Sequence, residues 1–245
     1  MQRTSTTAAI ITVAVLSLTG CGTGSGTGSG TATAEATPSA AQPSSSTPTP
    51  VKTFSNADLS GLLSTLRDDQ GQPLTVVPAA QIDQGILRAK ELFKTAVVSP
   101  ETCKPLVDSN ANVPDDSTYA GGTSISADDK TTIAVTVIAL KDATTMTQQL
   151  AASQAAAAPC KSFTIEVGGQ KITTETTPVD AKSDGDASFA ALSTQHLATD
   201  QAQTALTVTG VKGNLAVTAV KAGPAVTQTA SAELIKLINT VLAHD

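Results

Sequence analysis

The sequence has 245 residues and a formal net charge of −6 at pH 7, and 2% of its residues are aromatic, with no tryptophan. The acidic balance and the lack of a basic cluster argue against binding to nucleic acid or to anionic lipid head groups. So few aromatic side chains give little support to recognition by base stacking, carbohydrate stacking or an aromatic cage.

The chain opens on a pattern typical of a bacterial lipoprotein signal. Arg3 precedes an apolar run from Ala8 to Leu18, and the segment Leu18-Thr19-Gly20-Cys21 has the form of a lipobox. We therefore expect residues 1–20 to be a signal peptide and Cys21 to become the new N-terminus, with diacylglycerol on its thiol. Two or three acyl chains suffice for stable anchoring, at about 0.8 kcal/mol per buried methylene.

Two other interpretations of this segment compete with the lipobox. A transmembrane anchor needs about 20 apolar residues, whereas the run from Ala8 to Leu18 has 11 and includes Thr12 and Ser17. An ordinary secretory signal cut near Gly20 would leave Cys21 as a stray thiol. The two remaining cysteines can pair with each other, so lipidation accounts for the odd one.

The segment after the lipobox is predicted to be a tether. Residues 21–53 consist mainly of Gly, Ser, Thr, Ala and Pro, and such a composition buries too little apolar surface to offset the entropy cost of ordering. The 32 residues after Cys21 span about 30 Å as a random coil. The Ser/Thr/Pro tracts are also candidate sites of O-glycosylation.

The folded domain is predicted to cover residues 54–245. Apolar spacing and capping residues predict helices over residues 56–66, 83–95, 142–156 and 226–243, and Ser99-Pro100-Glu101 predicts a short helical turn with Ser99 as its cap. Alternation of apolar and polar residues predicts strands over 74–77, 119–125, 131–140, 163–167, 171–179, 189–197, 205–211 and 215–220.

Two of these segments indicate how the sheet is built. The second half of strand 131–140 is apolar on both faces, which is typical of a central strand covered on both sides. Gly168-Gly169 joins two alternating segments as a two-residue hairpin. The predicted fold class is therefore α+β, a mainly antiparallel sheet with helices packed on it.

Cys103 and Cys160 are predicted to form a disulfide, because the expected compartment is oxidising. The loop that they close is long, and the chain-entropy model gives it a stabilisation of roughly 4 kcal/mol. The alternative is a redox or metal pair. A redox pair prefers the Cys-x-x-Cys spacing and zinc needs four ligands, and neither is present.

The residues that could carry chemistry form no recognisable catalytic or metal-binding pattern. His196 has Asp184 and Asp200 near it in sequence, but the folded part contains no Gly-x-Ser-x-Gly elbow. Asp128-Asp129 and the segment 184–186 lack the calcium-loop pattern. We predict that they are solvated turn residues and that His196 lies on a strand surface. We expect no catalytic residue, no cofactor and no metal, and hence no enzyme.

The order of elements resembles the extracellular sensor domain of the PknH-type mycobacterial serine/threonine kinases, a domain that also occurs as the head of actinobacterial lipoproteins. The resemblance covers about residues 56–243 and rests on Val76-Val77-Pro78, Ser99-Pro100-Glu101-Thr102-Cys103, Pro159-Cys160-Lys161-Ser162-Phe163, Gly185-Asp186 and Gly213-Asn214-Leu215-Ala216-Val217. It implies an α+β head with an antiparallel sheet and a cleft suited to a ligand. The sequence departs from the family in having one cysteine pair where the family has two disulfides.

Three functions follow as hypotheses. The preferred one is a non-enzymatic binding or sensing module of the cell envelope, a monomer held at the extracytoplasmic side of the membrane by the lipid on Cys21, with a small-molecule, lipid or cell-wall ligand. The first alternative is a carrier that moves a lipid between membrane and wall. The second is an envelope hydrolase that uses His196.

Overall fold

The structure is a computed structural model that describes residues 52–109, 113–114, 116–197 and 201–245. The predicted signal peptide, Cys21 and the tether up to residue 51 lie outside the described residues. Asp200 and part of the predicted loop 108–117 also lie outside them.

Five α-helices and nine β-strands make up the described part of the chain. The helices are α1 (Asn56–Thr65), α2 (Ala79–Lys94), α3 (Lys104–Ser109), α4 (Ala143–Ala157) and α5 (Ser231–Leu242). The strands are β1 (Thr75–Val77), β2 (Val97–Ser99), β3 (Thr118–Ser126), β4 (Thr131–Ala139), β5 (Ser162–Val167), β6 (Gln170–Pro178), β7 (Ala187–Leu197), β8 (Ala202–Lys212) and β9 (Leu215–Gly223).

All nine strands belong to one sheet, in the order β1-β3-β4-β9-β8-β7-β6-β5-β2. Every neighbouring pair is antiparallel. The predicted fold class, an α+β protein with a mainly antiparallel sheet, is confirmed. The two edge strands, β1 and β2, follow each other in the chain and are joined by α2 alone.

Helices α1 and α5 pack on one face of the sheet, which we call the α5 face. Its apolar core contains the fully buried Leu59 and Leu63 of α1, Leu234 and Ile238 of α5, and strand residues such as Val137. Burying a side chain of this size contributes about 1.5–3 kcal/mol. This layer therefore supplies most of the apolar burial, as the spacing of the leucines in α1 and α5 predicts.

Helices α2, α3 and α4 lie on the other face, which we call the α2 face, and they form two separate clusters. Met146 and Leu150 of α4 pack on Ile138 and Val211, as predicted for the inward side of that helix. A second cluster contains Phe93 of α2 together with Cys103, Cys160, Val98, Leu106, Val107 and Phe163. Strand β4 is thus covered on both faces.

Local sequence signals account for several turns and caps. The side chain of Ser55 accepts the backbone N–H of Asp58 and starts α1, and that of Asp142 accepts the N–H groups of Thr144 and Thr145 and starts α4. Gly168 and Gly169 have φ values of 58° and 76°, which a two-residue hairpin of this type requires.

Three sequence predictions need correction. Helix α2 begins at Ala79, four residues before the predicted start, because Pro78 ends β1 and the helix follows directly. Residues Val97–Ser99 form β2 and pair with β5, so Ser99 ends a strand and is not a helix cap. Helix α5 begins at Ser231, after a 3₁₀ turn over Gln228–Ala230, and not at Val226.

The predicted disulfide between Cys103 and Cys160 is confirmed. Their Cα atoms are 5.6 Å apart and both residues are fully buried. The bond ties the turn that follows β2 to the end of α4. Among the described helices, none combines the length and the apolar character needed to span a bilayer.

Asp68, in the turn between α1 and β1, is a buried acid held by three hydrogen bonds. The hydroxyl of Ser124 donates to it over 2.5 Å, and the backbone N–H groups of Gln70 and Gln72 donate over 3.0 and 2.7 Å. Burial favours the neutral acid, but the bonds from Ser124, Gln72 and Gln70 outweigh burial and lower the pKa of Asp68 below its ordinary value of 3.8.

The lowered pKa predicts a specific acid sensitivity. Because the folded state binds the proton of Asp68 less readily than the unfolded state, this residue stabilises the fold above about pH 4, and the contribution disappears as the pH falls through the folded-state pKa. Asp68→Asn should lower the free energy of unfolding at pH 7 by about 1–3 kcal/mol and flatten its decline between pH 5 and pH 2. Urea unfolding across this range measures both, with the exposed Asp128→Asn as the control. An unchanged slope in Asp68→Asn would contradict the assignment.

Candidate functional site: an uncharged cleft under α2

Charged side chains are distributed unequally between the two faces of the sheet. Residues of a strand point alternately to opposite faces, and the strand pairing assigns each residue to one of them. The charged and histidine side chains of the nine strands all fall on the α5 face: Glu166, Lys171, Glu175, His196, Lys212 and Lys221. The α2 face carries no charged strand residue.

Helix α2 crosses this uncharged face as a bridge between the two edges of the sheet. Near its start, the side chain of Ile82 lies against Gly121 of β3. The approach is so close that a Cβ atom added to Gly121 would lie 3.2 Å from the Ile82 Cδ1 atom. Near its end, Phe93 belongs to the cluster that contains Phe163 of β5. Six strand intervals in a flat sheet would separate β3 from β5 by about 29 Å, whereas Ile82 and Phe93 are about 17 Å apart along the helix. Helix α2 is therefore shorter than the strip of sheet that it crosses.

Hydroxyl groups are prominent on the part of this sheet face that lies under α2, which we call the floor. Thr209 and Thr218 share a hydrogen bond of 3.0 Å between neighbouring strands, and Thr176 and Ser193 share one of 3.1 Å. Thr207, Thr209 and Thr218 are buried although they carry polar groups. Val220, Ala222 and Ala191 alternate with them and are buried as well, yet none of the three apolar clusters of the described residues includes them.

Thr174 of β6 extends the hydroxyl floor toward β5. It pairs with Phe163 on one side and with Gln195 on the other, on the α2 face. Its side chain is 4% exposed, and its Oγ1 atom has no hydrogen-bond partner. Buried polar groups in folded proteins are nearly always hydrogen-bonded, so this hydroxyl requires an explanation.

The roof of the cleft is apolar. Ile82, Ile86 and Ala89 lie at i, i+4 and i+7 on α2 and are half-buried, and Phe93 is the buried residue of that helix. The charged residues of α2, by contrast, are exposed. An amphipathic helix normally buries its apolar stripe completely against a core. The apolar stripe of α2 is therefore only partly covered by the rest of the domain.

One polar contact holds the first turn of α2 to the sheet. The hydroxyl of Tyr119 on β3 donates a hydrogen bond to the Asp83 carboxylate. This bond and the partial burial of the phenol raise the pKa of Tyr119 above its ordinary value of 10.0. Helix α4 closes the cleft at the end where β4 finishes and β9 starts, because Met146 and Leu150 cover Ile138 and Ala216 there.

The residues singled out in the sequence do not line this cleft. His196 is exposed and lies on the α5 face, opposite the cleft, as predicted for a strand surface residue. Within the described ranges, no serine or carboxylate forms a hydrogen bond to its ring, and no three His, Cys, Asp or Glu side chains gather in a way that could hold a metal ion. Asp184 and Asp186 lie in the loop before β7, where Asp186 accepts the N–H of Gly213.

The family resemblance implies a cleft, but sequence reasoning did not locate it, although a signal for its floor is present. Strands β8 and β9 place Thr207, Thr209 and Thr218 at alternate positions between valines and alanines. A central strand with hydroxyls on one face and apolar side chains on the other is the pattern of a sheet with two differently covered faces. Which face α2 would cross could not be inferred, since β2 was not recognised.

No family model and no curated protein matches the sequence. Among solved structures, the chain is similar to the extracellular domain of PknH from Mycobacterium tuberculosis, known from a crystal structure, with a TM-score of 0.54 and 13% sequence identity. The match covers 79% of this chain and 99% of that domain. The chain therefore has the fold of that extracellular domain, as its sequence resemblance predicted.

Proposed function

We propose that this protein is a non-enzymatic binding or sensing module of the cell envelope, anchored by a lipid on Cys21, whose ligand enters the cleft between α2 and the uncharged face of the sheet. The observation that carries the proposal is the combination of an uncharged, hydroxyl-bearing sheet face with a half-buried apolar stripe on the helix above it. Ligand sites in proteins are typically concave and mostly apolar, with a few convergent polar groups.

The position of Lys52, near the end of the predicted tether, supports an accessible cleft. The carbonyl of Lys52, the first described residue, accepts a hydrogen bond of 3.0 Å from the Asn214 side chain, in the turn between β8 and β9. Helix α4 covers this same end of β9. The opposite end, where Ala222 and Ala205 pair, is far from the root of the tether. A ligand can thus approach from the side that the membrane anchor leaves free.

The fold similarity is consistent with an extracytoplasmic role, because the matched structure is an extracellular domain. The hydrolase alternative has less support, since His196 lies on the face opposite the cleft. A carrier of purely apolar ligands is less favoured too, because threonines occupy the floor where such a carrier would present aliphatic side chains.

Thermal unfolding of the full chain in the presence of candidate ligands tests the proposal. We expect at least one member of a panel of cell-wall fragments and envelope lipids to raise the melting temperature in a concentration-dependent way. A substitution that fills the cleft, Thr218→Leu, should abolish that shift. The matched control is Thr194→Val on the α5 face, which should leave it intact. No shift with any ligand would contradict the proposal.

A further inference from the structure

The absence of charge on the α2 face restricts the chemistry of the ligand. A charged group that enters the cleft loses its hydration, and none of the strand side chains there offers an opposite charge. Burying an ion without a partner is strongly unfavourable. Asp83, at the β3 end of the cleft, adds negative charge beside Tyr119 and disfavours anions further.

The hydroxyls of the floor require a ligand that forms hydrogen bonds. In each hydroxyl pair, one O–H donates to the other oxygen, which leaves the second O–H free to donate. Thr174 Oγ1 has no partner at all, although it is buried. Because this oxygen is covered, a ligand reaches it only after the elements above the sheet shift.

The roof, by contrast, requires an aliphatic partner. Ile82, Ile86 and Ala89 face the sheet and are only half-buried, so an alkyl chain laid beneath them would remove further apolar surface from water. The cleft therefore has a hydrogen-bonding floor without charge and an aliphatic ceiling.

We infer that the ligand is a neutral amphiphile, an uncharged polar head group joined to an aliphatic chain, with the head group hydrogen-bonded to the threonine floor at Thr174 and the chain under α2. This inference rests on the proposed function and specifies its ligand. Neutral membrane glycolipids have this chemistry, whereas anionic phospholipids and charged wall peptides do not.

Four probes separate the alternatives, because three of them share either the alkyl chain or the head group. They are titrated into the full chain by thermal shift and by calorimetry, with the detergents below their critical micelle concentrations. They are decyl maltoside, maltose, decyl sulfate and a charged wall muropeptide. We expect decyl maltoside to bind at least tenfold more tightly than maltose or decyl sulfate. Tighter binding of decyl sulfate or of the muropeptide would overturn the inference and leave the proposed function standing. Binding of none of the four would overturn the inference, and the wider panel would then decide the proposed function.

Thr174→Val tests the head-group contact, with Thr173→Val as the matched control. Thr173 is the preceding residue of the same strand and points to the α5 face. Thr174→Val removes an unpaired buried hydroxyl, so the melting temperature of the free protein should rise, while binding of decyl maltoside should weaken about tenfold. Thr173→Val should not weaken binding. A lower melting temperature in Thr174→Val with unchanged binding would show that this hydroxyl serves only the fold and would overturn the contact.

Discussion

Removing the disulfide with the double substitution Cys103→Ala and Cys160→Ala should lower the free energy of unfolding by about 4 kcal/mol. The two cysteines are 57 residues apart in sequence, so the bond removes a large part of the freedom of the unfolded chain. For a domain of this size, the melting temperature should fall by roughly 8–16 °C.

The position of the disulfide predicts which part of the domain loses stability first. Cys103 and Cys160 belong to the cluster that holds Phe93, at the end of α2. Hydrogen exchange should therefore accelerate in α2 before it accelerates in α5, whose core lies on the other face. Reduced wild-type protein is the matched control, because it retains both sulfur atoms and loses only the covalent bond. A loss below about 1 kcal/mol, or uniform acceleration across the domain, would contradict this account.

Replacing Lys221 with methionine should cost about 3–5 kcal/mol, because it leaves a largely buried carboxylate without its partner. Lys221 Nζ lies 2.7 Å from Glu233 Oε2, and the two side chains are only 12% and 11% exposed. Burial by itself would lower the pKa of Lys221, but the hydrogen bond and the charge of Glu233 outweigh it and raise the pKa.

A double-mutant cycle separates the ion pair from the packing around it. Glu233 also accepts the backbone N–H of Asp69 over 3.1 Å, so the pair connects α5, β9 and the turn that holds Asp68. The double substitution Lys221→Met and Glu233→Leu should cost clearly less than Lys221→Met alone, because no buried charge then remains unpaired. Urea unfolding measures Lys221→Met, Glu233→Leu and the double variant. If the double variant proves as unstable as Lys221→Met, packing and not charge determines the effect.

Short-range signals in the sequence predicted most of the elements, because each has a local physical cause. Asp142 was recognised as a helix cap, Gly168-Gly169 as a hairpin, and the alternation in residues 131–140 as a strand covered on both sides. The pairing of Cys103 with Cys160 also followed from the sequence, since the cysteine count and the expected oxidising compartment left it as the favoured state.

The errors arose where long-range contacts determine the structure. Val97–Ser99 is only three residues long, and its strand character depends on pairing with β5, which lies more than 60 residues later. Without β2, the path of α2 from one sheet edge to the other could not be deduced. The cleft depends on that path. Without it, the sequence did not show which element lies over the threonines of β8 and β9.

Intact mass spectrometry of the protein purified from the membranes of its native host tests the central claim, that a lipid anchor holds the domain outside the cytoplasm. The account predicts a chain that starts at Cys21 and carries the mass of a diacylglycerol group, with or without a third acyl chain on the new amine. An unprocessed chain that still starts at Met1 and has an unmodified Cys21, recovered from the cytosol, would contradict it.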